Sequence, residues 1–493
     1  MSRRRAEAPL LTLHLDAEAA EPLHRQLYTG IRELVLAGRL APGARLPSSR
    51  MLADELAVSR NTVLLALDQL ISEGYVEGRA GSGSFIPAEL PDPAPAAARS
   101  RGERRSAGPR LSQRGDDLAA RGARRPQRSG LFAAGLPDTS DFPFELWSRL
   151  AAKHWRRPDA DLIAATEPRG HLRLRTAIAD YLRTVRAVHA GAEQVIVVSG
   201  ARQAVDFAAR LLLDPGDSVW VEEPGYAGIR AVLAAAGARL VPVPMDADGM
   251  RVIETGKAPP ARLACVAPSH QYPLGVTMSL ARRLELLAWA RRQSAWIIED
   301  DYDSEFRYAG PPLAALQGLD QDGRVIYVGS FSKVMFPSLR LGYLVVPPAT
   351  VDAFAKARAT LDDHPASAMQ PVLAEFIEAG HFAAHVRRMR KRYGERQRLL
   401  LAAAERHLAG LLQLTPDPAG MHLLAALAPA LARRMDDKEA ARRAAAAGIN
   451  APALSGYFLG RPTRQGLLLG YAAVADQAIE PAVRKLAAAL RVA

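Results

Sequence analysis

The sequence predicts a multidomain chain. A small N-terminal helical module closed by a hairpin is followed by a large α/β domain that ends in a smaller α+β subdomain. Three observations predict this. The chain has 493 residues, about three times a typical domain of roughly 150. Residues 88–130 consist mainly of Pro, Ala, Gly, Ser and Arg, with almost no large apolar side chain; such a stretch cannot bury a core and reads as a linker. Beyond residue 131, apolar strand-like runs alternate with amphipathic stretches, the pattern of a mostly parallel sheet covered on both faces. The expected domains are therefore 1–87 (core 20–87), a flexible linker 88–130, and 131–493 with its small subdomain from about 370.

In the first domain, Leu23, Leu27, Ile31 and Leu34 mark one apolar helix face. Gly38 and the Pro42-Gly43 pair end that helix. A second short helix carries Leu52 and Leu56. A third presents Val63, Leu67, Leu70 and Ile71, with Ser59 as its N-cap. GYVEGRAGSGSFI then reads as two short strands around Gly78, Gly81 and Gly83. Helix, helix, helix, hairpin is the winged helix-turn-helix order, which lays the third helix in the DNA major groove. Arg50 opens the second helix. Arg60, Asn61 and Thr62 open the third, with side chains able to reach base edges or phosphates. Arg79 and the bare backbone at Gly81 and Gly83 can approach phosphate.

Charge supports DNA binding only weakly. The net charge is +12, yet residues 1–87 hold 10 Arg against 10 acidic residues, so the argument rests on faces. Acids such as Asp54, Glu55, Asp68 and Glu73 can lie away from DNA. The single cysteine, Cys265, excludes internal disulfides and multi-cysteine zinc sites. No run of 18 uncharged apolar residues occurs, so no membrane span is expected. With no secretory cleavage pattern at the N-terminus, a cytoplasmic protein is expected.

Residues 22–86, with LPSSR, VSRNTV, LISEGYV and GSGSF, resemble the GntR-type winged helix over nearly its full length. The resemblance implies a double-stranded DNA operator as partner, with Arg50, Arg60, Thr62, Arg79 and Gly81 facing it.

In the large domain, strand-like runs fall at 195–198, 218–221, 239–243, 263–267, 295–298, 325–328 and 343–346. SFSKVMFPSLRLGY (330–343) sets a lysine among hydroxyls, with an arginine seven residues on. That suits pyridoxal 5′-phosphate: the amine forms a Schiff base with the aldehyde, and Ser330 and Arg340 bind the phosphate. IIEDDYDSEF (297–306) ends another strand. An aspartate there can pair with the pyridine nitrogen, and a tyrosine two residues on can bond the phenolic oxygen. No histidine accompanies those carboxylates in the sequence, so no metal site is expected. SGARQAV (199–205) offers helix N-terminal amides to an anion, and Tyr226 in EEPGYAG can stack on the ring.

These pieces, in this order, resemble the fold-type I aminotransferases over roughly 131–493, most closely the domain fused to GntR-type winged helices in MocR-type regulators. PSHQYPLG, EDDYDSEFRY, GSFSK and HVRRMRKRYGER look like that subfamily's signatures. By position the resemblance makes Lys333 the Schiff-base lysine, Asp300 the partner of the pyridine nitrogen and Tyr302 that of the phenolic oxygen. Tyr226 would stack on the ring. Ala201, Arg202, Ser330 and Arg340 would hold the phosphate, and Tyr272 stands where many aminotransferases place an asparagine. Two positions depart from the enzymes. Leu467 and Leu468 stand near the place of a substrate-carboxylate arginine, with Arg461 and Arg464 in the preceding loop. Ala165 replaces a tyrosine that reaches the partner subunit's cofactor.

The expected function is a transcription regulator whose aminotransferase-like domain binds pyridoxal phosphate and senses an amine, an amino acid or pyridoxal phosphate itself. The alternative is an active aminotransferase with an appended DNA module. The resemblance further implies a homodimer formed through residues 131–493.

Overall fold

The computed structural model describes residues 13–79, 83–90, 110–122, 130–158, 163, 167–253, 260–310 and 313–491. The chain divides into two units, Met1–Arg110 and Leu111–Ala493.

In the first unit, helices α1 (Leu23–Leu36), α2 (Ser49–Glu55) and α3 (Arg60–Ser72) pack around Leu27, Ile31, Leu52, Val63, Leu67 and Leu70. The Ser48 and Ser59 side chains accept the backbone N–H groups of Met51 and Thr62, capping α2 and α3. Strands β1 (Glu77–Arg79) and β2 (Gly83–Phe85) pair antiparallel as the wing. One expected core residue differs: Ile71 is 40% exposed, and Ala66 is buried on the inward face instead. At 100° per residue, the face through Val63, Ala66, Leu67 and Leu70 turns Ile71 toward the rim. Gly81 lies outside the described residues.

In the second unit, all seven expected runs are strands: β3 (Val195–Val198), β4 (Ser218–Glu223), β5 (Arg239–Asp246), β7 (Leu263–Val266), β8 (Trp296–Asp301), β9 (Val325–Ser330) and β10 (Gly342–Val345). With a two-residue β6 (Gly249–Met250), they form one sheet in the order β3-β10-β9-β8-β7-β4-β5-β6. The ladders β9-β8-β7-β4-β5 are parallel, while β10 runs antiparallel to both its neighbours. Alternate residues feed opposite faces, as the two-residue strand period requires. Val195, Val197, Tyr327 and Tyr343 join one core, and Ile196, Val198, Ile326 and Leu344 join the other. A second, antiparallel sheet of β11 (Leu412–Leu414), β12 (His422–Leu427) and β13 (Gly466–Gly470) forms the small subdomain. It packs with the long helices His381–His407 and Asp476–Arg491.

The stretch read as a flexible linker departs from that reading in one part. Gln113–Gly122 is a helix packed on the helix Ala227–Ala235, and Arg114 donates to the Ala235 carbonyl. The physical reason is local. Ser112 accepts the Gly115 N–H at 3.1 Å, and the sequence from Leu111 to Arg125 contains no proline. Residues 91–109 and 123–129 lie outside the described set.

Candidate DNA-facing module and cofactor site

The expected DNA-facing side chains gather at the two helix starts and the wing. Arg50, Arg60 and Asn61 are exposed, and Arg60 Nε lies 3.3 Å from Ser49 Oγ, joining the starts of α2 and α3. Thr62 is half-buried, its hydroxyl 2.8 Å from Ser59 Oγ, so its first task is the cap. Arg79 is paired with Glu77 at 2.5 Å and lies over the Phe85 ring at 4.8 Å. Arg45, which sequence reasoning missed, also lies over the Phe85 ring, at 6.0 Å. Glu73 is turned to Tyr28 of α1 and Gln69, which removes one acid from the reading surface.

The cofactor candidates come from five places in the chain and meet at one edge of the large sheet, the carboxyl ends of its parallel strands. Ligands in open α/β sheets bind at that edge. Asp300 ends β8, Tyr226 follows β4, and Lys333 follows β9. Ala201 and Arg202 start the helix that follows β3. Arg340 arrives from the opposite direction because β10 is reversed: Gly342 pairs with Val198 on one side and Ser330 on the other. A side chain at Gly342 would meet the Gly200 Cα at 2.8 Å, so only glycine lets these segments approach. At Gly200, with φ +119°, a Cβ would lie 4.0 Å from both Arg340 and Ser330. The helix Ala201–Leu212 thus presents its N-terminal amides beside a guanidinium and a hydroxyl, a cradle of donors for a dianion.

The other groups are set around it. Lys333 Nζ donates to the Gly135 carbonyl. Arg202 donates to the Tyr226 hydroxyl at 2.8 Å. Tyr226 meets Tyr272 edge-on at 5.7 Å, and Tyr272 meets Tyr302 at 6.2 Å. Asp300 is buried, and among the described residues its Oδ1 has no hydrogen-bond partner. Burial, then the charges of Asp301 and Asp303, push its carboxyl up to about 7, with Lys333 pulling the other way. A buried acceptor left without a donor is costly, and a protonated ring nitrogen is the donor this site lacks. The residues present therefore fit pyridoxal phosphate.

Sequence reasoning missed the layer behind Tyr302. His270 Nδ1 lies 3.0 Å from both Tyr302 Oη and Asp303 Oδ2, and its Nε2 lies 3.2 Å from Asp417. His270 stands in the PSHQYPLG signature, so its neighbourhood carried a signal. Asp417 is 147 residues away and carried none. Leu467, Leu468 and Leu469 are fully buried in β13, with Leu468 packed near Tyr272 and Tyr457. Arg461 and Arg464 are exposed in the preceding loop. Ala165 lies outside the described residues.

Residues 23–86 match the model for bacterial regulatory proteins of the gntR family, and residues 149–486 that for aminotransferase class I and II. The probable rhizopine catabolism regulatory protein MocR of Rhizobium meliloti is 45% identical, with 97% of this chain and 95% of that protein covered. The chain belongs to the MocR-type branch of the GntR family. Another relative of this type is the pyridoxine biosynthesis transcriptional regulator PdxR of Corynebacterium glutamicum, 34% identical with 94% of each chain covered. The MocR-type large domain is also similar to the α-aminoadipate aminotransferase LysN of Thermus thermophilus, solved with N-(5′-phosphopyridoxyl)-L-leucine. The TM-score is 0.70 at 26% identity, over 77% of this chain and 97% of that one. As a MocR-type protein, the chain is a DNA-binding transcriptional regulator with an aminotransferase-like domain.

Proposed function

We propose that this regulator holds pyridoxal phosphate through Lys333 and alters operator binding according to what occupies that site: an amine, an amino acid or pyridoxal phosphate itself. The observation that carries this reading is the buried carboxylate oxygen of Asp300, partnerless among the described residues, within the electrostatic reach of Lys333 and near a ready dianion cradle. Bound there, the cofactor supplies an aldehyde reactive toward primary amines and an electron-withdrawing ring. Arg340, Ser330 and the amides at Ala201 and Arg202 bind the phosphate, Asp300 accepts from the ring nitrogen, and Tyr226 covers the ring. An occupant regulates only by binding one state of the protein better than another. Buried leucines fill β13, which favours sensing over turnover.

The remaining partners follow from the same reading. Arg50, Arg60, Asn61, Thr62, Arg79 and Gly81 face the operator, and the protein works in the cytoplasm as a homodimer with two winged helices. The test is spectroscopic and functional together. Protein incubated with pyridoxal phosphate and desalted should absorb in the visible, and Lys333→Ala should not. Operator affinity should change with the cofactor in wild type alone. A colourless wild type would sink the proposal.

A further inference from the structure

His270 has no place in the cofactor cradle, yet it is 2% exposed and surrounded by acceptors. Asp303 Oδ2 stands 3.0 Å from one ring nitrogen and Asp417 Oδ2 3.2 Å from the other. A neutral imidazole carries one N–H, so one carboxylate would face a lone pair. Two carboxylates, one at each nitrogen, select the doubly protonated ring. Burial opposes that charge, but Asp303 and then Asp417 outweigh it and raise the histidine to about 10. Burial pushes the Asp303 carboxyl above its ordinary value, with the charge and hydrogen bond of His270 pulling it back toward ionisation. His422, 5.6 Å away on β12, is held neutral, at about 4, by burial and then by the charge on His270; its Nε2 lies 3.2 Å from the Pro273 carbonyl. Among the described residues, the Tyr302 hydroxyl also faces the ring, 3.0 Å from Nδ1.

We infer that His270 is a positioning residue: as an imidazolium clamped between Asp303 and Asp417, it fixes the Tyr302 hydroxyl as a donor to the cofactor's phenolic oxygen. An imidazolium has no lone pair, so Tyr302 cannot donate to it. Tyr302 shares the single Nδ1–H with Asp303 as a second acceptor, and its own proton is directed away from His270, toward the ring. The clamp also ties the loop after β8, which carries Asp303, to the loop before β12, which carries Asp417. At Gly420, with φ +91°, a Cβ would meet the imidazole at 2.1 Å, so glycine is what lets that second loop close over the ring. This inference rests on the cofactor site proposed above.

The experiment reads the cofactor's visible absorption against pH in full-length, pyridoxal phosphate-loaded protein. A donor at the phenolic oxygen stabilises negative charge there and weakens that oxygen's hold on the proton of the nearby nitrogen. Removing the donor raises the pH at which this proton leaves. His270→Gln should raise the midpoint by about one unit, Tyr302→Phe should raise it as well, and the double variant should match Tyr302→Phe alone. Asp417→Asn, which keeps the imidazole but loosens the clamp, should give a smaller rise. An unchanged midpoint in His270→Gln, or a shift that persists undiminished in the Tyr302→Phe background, overturns the inference. Should His270→Gln fail to retain cofactor, Asp417→Asn decides: a rise supports the clamp and an unchanged midpoint overturns it. A visible band that survives Lys333→Ala would instead count against the cofactor site itself.

Discussion

Asp300 concentrates the chemistry of the site in one side chain. Its folded carboxyl titrates near 7 against 3.8 for the free group. The sign follows from linkage: the folded state keeps the proton that the unfolded state gives up. Without cofactor, stability therefore falls as pH rises from about 4 and is lowest above about 7. Asp300→Asn removes this component. In cofactor-free protein, the melting-temperature difference between Asp300→Asn and wild type should grow in the variant's favour as pH rises from about 4 to about 7 and level off above that. A difference that stays flat with pH would show that the carboxylate is already relieved. With cofactor, the order reverses in affinity. A charge-assisted hydrogen bond is worth about 1.5–3 kcal/mol, so Asp300→Ala should release pyridoxal phosphate at least tenfold more readily, as read by equilibrium dialysis. His270 shows how little the residue scale reveals by itself. The letter was visible in PSHQYPLG, but its charge depends on Asp417, which only folding brings near.

Helix starts decide much of the element scale. Ser59 caps α3 through the Thr62 N–H at 3.1 Å and also engages the Thr62 hydroxyl. Ser59→Ala should cost about 1 kcal/mol in the N-terminal unit, measured as a lower first transition in calorimetry of the whole chain. Ser59→Gly should cost only a few tenths. If both variants melt like wild type, the cap contributes nothing. This cap was legible in the sequence because N-capping is a local pattern, as was each large-sheet strand that began as an uninterrupted apolar run. The helix Gln113–Gly122 was not. Its composition looks like a tether, and its footing on Ala227–Ala235 is a tertiary contact.

For the whole molecule, the two functions make separable predictions. Each arginine that neutralises a phosphate adds about one to the salt slope of operator binding. A folded Arg50→Ala, Arg60→Ala, Arg79→Ala variant should bind more weakly and less salt-dependently at every operator sequence. An unchanged slope would place the phosphate contacts elsewhere, with Arg45 the first alternative beside the wing. If the chain forms the proposed homodimer through residues 131–493, it should sediment at about twice the 53.1 kDa chain mass, and removing residues 1–87 should leave the dimer intact. A truncated chain that dissociates would move the dimer contact into the DNA-reading module.

The sequence by itself determined the winged helix and the seven strands of the large sheet, and it supplied the lysine, aspartate and arginine proposed for the cofactor site. Each of these is written in local periodicity or in a short motif whose residues act as neighbours. Tertiary structure decided how they meet. Reversal of β10 carries Arg340 to Ser330 and Gly200, and burial leaves Asp300 Oδ1 without a partner among the described residues. A loop from the small subdomain closes Asp417 onto His270. Those outcomes depend on contacts between residues far apart in the chain and on the loss of water around them, and neither is encoded in any single stretch of sequence.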